Sequence, residues 1–134
     1  MSAHEDMNGV WSGEYRYRGL DLSVRFTLLI CEAGGKLRGT TLEEALLDPD
    51  SGPDEYEATI RGDRCGQHVL FTKRYVTEAG LLQPPLIYSG AADPSFMNVS
   101  GRWAFTDDAY LDGTFRMTRV LTGVAATLMR ATAE

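Results

Sequence analysis

Cysteine and histidine are almost missing from this chain, with two of each. Two cysteines, Cys31 and Cys65, are too few for a disulfide scaffold. The histidines, His4 and His68, stand far apart, and no spacing of His, Cys, Asp and Glu reads as a metal site. Neither a metal nor a cofactor is expected. Positive charge is also scarce: 13 Lys plus Arg face 19 Asp plus Glu, a formal net charge of −6. Nucleic acids and anionic membrane surfaces both attract basic patches, so neither is expected as a partner. No apolar run approaches the ~18 residues that span a bilayer. The opening residues lack the basic start and apolar stretch of a secretory signal. The expectation is a cytoplasmic protein with reduced thiols, in which the sequon Asn98-Val99-Ser100 carries no glycan. No Ser-His-Asp or Cys-His arrangement is legible.

What the chain does have is alternation. At 134 residues it reads as one domain, with a tail at 1–8, a body at 9–119 and a C-terminal segment at 120–134. In the body, polar and apolar residues alternate with period two between Gly, Pro and Asp turns, the pattern of half-buried strands. Trp11, Gly13, Tyr15 and Tyr17 share one face. Leu20, Leu22, Val24, Phe26, Leu28 and Ile30 share the next. Further strands are predicted over 37–44, 56–61, 68–76, 86–90, 97–105 and 111–119. Eight short strands with no helix between them predict an all-β fold, an up-and-down antiparallel barrel, with a sandwich as the other arrangement. Closure removes the edges and leaves room for packed side chains or one small ligand. After Arg119, Val120, Leu121, Val124, Leu128 and Met129 recur at helical spacing, while Gly123 and β-branched neighbours oppose a helix. The segment is expected to be a helix or an extra strand, covering the barrel or a second copy of the chain.

Gly9-Val10-Trp11 at the start of the first strand and Arg119 at the end of the last resemble the calycin superfamily of lipocalins, fatty-acid-binding proteins and avidins. That resemblance implies a barrel closed at one end, with the Arg119 side chain packed across the Trp11 indole. Strand alternation independently brings both residues to one end, here termed the base. The short turns near 32–36, 62–66 and 91–95 fall at the base, and the long loops 45–55 and 76–85 at the mouth. The blocks Trp11-Ser12-Gly13, Leu37-Arg38-Gly39-Thr40, Phe71 to Tyr75, Tyr88-Ser89-Gly90 and Arg102-Trp103 are laid out much as in avidins. The chain departs from avidins where they bind: it has Thr41 and Glu43 for their tyrosine and serine, and Arg116-Met117-Thr118 where they carry a carboxylate. Biotin binding is therefore not implied.

Phase and strand direction turn Tyr15, Tyr17, Glu43, Tyr56, Lys73, Tyr75, Trp103 and Phe105 inward in the mouth half. These are the candidate ligand-binding residues, with the rings as walls and phenols as orienting donors. Lys73 is read either as an anchor for an anionic group, as a reactive amine, or as a cation that snorkels to the rim or pairs with Glu43. Gly9, Trp11 and Arg119 are read as structural. Asp107-Asp108 reads as a solvated turn or a general base. Three functions follow. The chain is a binding barrel for a small apolar or aromatic molecule, a cyclase or isomerase that shapes a flexible substrate in a cavity, or a filled barrel that binds a protein partner. Interior volume discriminates: a few hundred Å³ favours the first two, a packed interior the third.

Overall fold

The computed structural model describes residues 5–44, 55–77, 80–81, 85–106 and 111–120. Its strands are β1 (Gly9–Tyr17), β2 (Ser23–Ala33), β3 (Lys36–Glu44), β4 (Glu55–Cys65), β5 (His68–Thr77), β6 (Gly80–Leu81), β7 (Leu86–Ala92), β8 (Asn98–Phe105) and β9 (Asp112–Arg119). All pairings are antiparallel, and β1 pairs with both β2 and β9 while β4 pairs with β5. The eight long strands therefore close into an up-and-down barrel, and β6 is a two-residue addition to β5. Among the described residues no helix is long and apolar enough to cross a membrane. The loop 45–54, Asp107-Asp108 and the segment from Leu121 onward, with its helix-or-strand expectation, lie outside the described residues.

The predicted inward phase holds along the strands. Trp11, Val24, Leu28, Ile30, Leu37, Ile60, Val69, Phe71, Val99, Trp103, Phe115 and Met117 are all buried. Two expectations need correction. Leu20 is not a strand residue: β2 begins at Ser23, Gly19 adopts φ 79°, and Leu20 is 60% exposed in the β1–β2 turn. Gly19, which takes the positive φ, and the polar Arg18 and Asp21 favour the turn over three more residues of ladder. The fourth strand also runs on to Cys65 rather than stopping at Arg61. Gly62 makes this continuation feasible, because a Cβ there would lie 2.0 Å from the Leu70 carbonyl oxygen.

The base is sealed by a latch. Arg119 pairs with Trp11 across β9 and β1, its guanidinium 4.5 Å from the centre of the indole. It donates to the carbonyls of Phe96 (3.0 Å), Asp6 (2.6 Å) and Asn8. Phe96 sits at φ 56° in a turn held by Asp93, whose carboxylate accepts from the Met97 and Asn98 amides. Gly9 has φ 132°, and Arg119 Nη1 lies 3.3 Å from where a Cβ would be, so this position suits glycine alone. Met7, expected in a tail, is instead a buried plug. Its carbonyl accepts from the Trp11 indole at 3.0 Å, and its amide donates to Glu32 at 2.9 Å.

Candidate functional site

The mouth half holds a polar cluster inside an aromatic shell. Glu43 on β3 and Lys73 on β5 are both 3% exposed. They face each other across β4, and Lys73 Nζ donates to Glu43 Oε2 at 3.0 Å. Tyr15 on β1 donates to Glu43 Oε1 at 3.1 Å, and Tyr75 on β5 donates to the same oxygen. Lys73 also donates to the Tyr88 hydroxyl at 3.0 Å. Its ammonium lies 4.5, 4.9 and 5.1 Å from the ring centres of Tyr15, Tyr75 and Tyr88. The lysine thus occupies an aromatic cage made by its own chain, with a carboxylate as counter-ion. Of the readings for Lys73, pairing with Glu43 is the one observed.

Burial raises the pKa of the Tyr15, Tyr17, Tyr75 and Tyr88 phenols, because a phenolate there would lose its hydration. The Lys73 ammonium opposes this at Tyr17 and Tyr75, and the Glu43 carboxylate adds to it at all four. Tyr15, Tyr75 and Tyr88 therefore take part in the network as neutral hydroxyls.

Around this cluster the rings pack on one another. Trp103 meets Tyr17 edge-on at 5.0 Å and Tyr15 at 5.5 Å, and its indole N–H donates to the Arg16 carbonyl at 3.1 Å. Phe71 stacks on Tyr88 at 5.0 Å. Tyr17, Tyr75 and Phe105 are half-buried at the upper edge of the core. Tyr56, read as inward, is 36% exposed at the rim, edge-on to Tyr75 at 6.5 Å. Tyr56 lies one residue from the start of β4, opposite Glu43 in the ladder.

The structure thus brings Tyr15, Glu43, Lys73 and Tyr75 into one network and sets Tyr17, Trp103 and Phe105 against it. Tyr88 is a full member that the candidate set lacked. Its phase was available, since Leu86, Tyr88 and Gly90 alternate inward.

The interior is filled. Beneath Lys73 a void of about 10 Å³ remains between Phe26, Leu28, Thr41, Ile60, Phe71 and Tyr88. That is the lower limit for one water molecule. Among the described residues the barrel interior shows no cavity of a few hundred Å³, the volume expected for both the binding and the cyclase or isomerase readings. Cys31 and Cys65 are both free and exposed. Among the described residues no three His, Cys, Asp or Glu side chains converge as a metal site. Compared with known proteins, the chain matches no protein-family model and no curated protein sequence.

Proposed function

We propose that the chain is a cytoplasmic, calycin-type binding barrel that takes one small, flat, mostly apolar molecule at its mouth, on the floor formed by the Glu43–Lys73 cluster. The observation that carries this reading is the buried ion pair itself. Desolvating each ion costs several kcal/mol, and apolar replacements of such pairs are often neutral or stabilising. Stability alone therefore gives no reason for charges at this depth, whereas a polar floor beneath an aromatic rim suits recognition.

The filled interior sets the mode of entry. Tyr75 is the network member at the rim, and its phenol occupies one of two donor positions on Glu43 Oε1. A ligand hydroxyl takes that position when Tyr75 turns outward, with the ligand body against Tyr17, Tyr56 and Phe105. Lys73 and Glu43 neutralise each other, so a neutral hydroxyl or phenol is favoured over an anion. Titrating the full chain with small phenols, and with a small-molecule extract of its host, tests this by NMR of labelled tyrosine rings. Saturable shifts at Tyr75, Tyr56 and Tyr17 are expected. Rings unmoved by every titrant would refute the reading.

The packed interior favours a second reading, a filled barrel that binds a protein through its outer surface. In that case the ring signals stay fixed and signals on one outer wall move.

A further inference from the structure

We infer that the outer wall formed by β2–β5 docks an acidic segment of another protein. This deepens the partner-binding reading and is independent of the mouth. The wall carries an open depression of about 1050 Å³ bordered by Leu29, Cys31, Glu32, Arg38, Arg61 and Arg74, among others. Arg38 lies directly opposite Arg61 on β3 and β4, and Arg74 on β5 sits one diagonal step from Arg61. Like charges directly opposite in a sheet are destabilising.

Elsewhere five described arginines are neutralised by carboxylates, while among the described residues Arg119 bonds to carbonyls and Arg102 on the opposite wall has no ion pair. Arg116 and Arg16 share Glu14 at 2.8 and 3.7 Å, Arg18 pairs with Asp112 at 2.6 Å, and Arg64 with Glu32 at 2.8 Å. Carboxylates outnumber cations in the chain, 19 to 13, so unpaired arginines are not forced by a shortage of partners. Yet among the described residues no carboxylate stands within ion-pair distance of Arg38, Arg61 or Arg74. Glu32 and Asp63 at the base end of the wall are taken by Arg64 and Lys36.

The chemistry of the wall selects the occupant. The central strands β3 and β4 are laddered on both sides, so their amides offer no nest for a compact phosphate. The donors are three long, spread side chains, with the Thr40 and Thr59 hydroxyls between them. Leu29, Cys31 and Ala33 add apolar surface beside the arginines. Arginine mixed with apolar surface is the composition of a protein interface. Spaced carboxylates on a peptide match it. A second copy using the same wall about a two-fold axis would set arginine against arginine.

The test uses the full chain with poly-L-glutamate as the probe. Cys31 borders the depression and Cys65 does not, and both thiols are exposed. At low ionic strength polyglutamate should slow alkylation of Cys31 severalfold and leave Cys65 unchanged. Salt near 1 M, where charges are screened within about 3 Å, should abolish the protection. The triple variant R38Q/R61Q/R74Q should lose it with an unchanged melting temperature. The charge-matched triple R16Q/R102Q/R116Q, on the opposite wall, should keep it. The inference is overturned if polyglutamate leaves the Cys31 rate unchanged, or if both triples lose protection equally. It is also overturned if inorganic polyphosphate or a single-stranded oligonucleotide protects Cys31 where polyglutamate does not. None of these outcomes bears on the mouth site.

Discussion

Replacing Lys73 with methionine preserves side-chain volume, and on an isolated view of the lysine it should spare the fold. The surroundings predict otherwise. Glu43 is 3% exposed and has Lys73 as its counter-ion at 3.0 Å. Lys73→Met leaves that carboxylate buried with two phenols and no cation. Breaking a buried pair at one end costs about 3–5 kcal/mol. At this chain length each kcal/mol lowers Tm by about 3–5 °C, so the loss should be roughly 10–25 °C. Glu43→Gln alone should cost a similar amount, because it strands the ammonium. The double variant E43Q/K73M removes both charges, and its amide oxygen still accepts from Tyr15 and Tyr75. It should melt within about 1 kcal/mol of the parent, or above it. Denaturant unfolding of all four proteins closes the cycle, and the coupling energy should exceed about 2 kcal/mol. Lys73→Met with a melting temperature within about 2 °C of the parent would mean the pair is solvated, and the account of the mouth would fail with it.

Arg119→Met removes a charged donor from three carbonyls and the cation from the Trp11 face. It should cost at least about 3 kcal/mol, measured by denaturant titration, with a red shift of Trp11 emission. Trp103→Ala should cost about 3–5 kcal/mol, and a stable variant would show that the Tyr15–Tyr17–Trp103 packing is not formed. The folded-state pKa values of Tyr15, Tyr17, Tyr75 and Tyr88 are raised. Their stabilising contribution is therefore complete below the unfolded value of about 10 and falls as pH rises above it. Ultraviolet absorbance should show these phenols ionising only as the barrel unfolds. Asp93 is pushed down to about 2 by its hydrogen bonds to the Asn98 side chain and to the Met97 and Asn98 amides. Its contribution is present above the usual carboxylate range and is lost as pH falls through about 2. Asp93→Ala should flatten that acid limb of a Tm-against-pH curve.

Much of this arrangement was legible because period two reports direction. Trp11 and Arg119 meet because strand alternation returns the last strand to the base, and Val99, Gly101 and Trp103 point inward as their spacing requires. Glu43 and Lys73 were both read as inward, near one another and near the mouth. Volume was not legible. Alternation says which rings point inward, but not that Trp103 meets Tyr15 and Tyr88, that Tyr88 stacks on Phe71, or that only about 10 Å³ remains beside Phe71 and Tyr88. The burial of Met7 was invisible for a different reason. Its neighbours are polar and non-periodic, and it is held by backbone groups, with its carbonyl on the Trp11 indole and its amide on Glu32. The unpaired state of Arg38, Arg61 and Arg74 depends on register across three strands, which period two within one strand does not encode.

The claim that the mouth is a binding site is tested most directly by native mass spectrometry of the full chain recovered from its own host under non-denaturing conditions. The account predicts a population heavier than the bare chain by one small molecule. That population should be depleted in E43Q/K73M recovered in the same way, because an amide oxygen accepts the ligand hydroxyl more weakly than a carboxylate does. Recovery of the bare chain alone, or a retained molecule indifferent to Glu43 and Lys73, would contradict it.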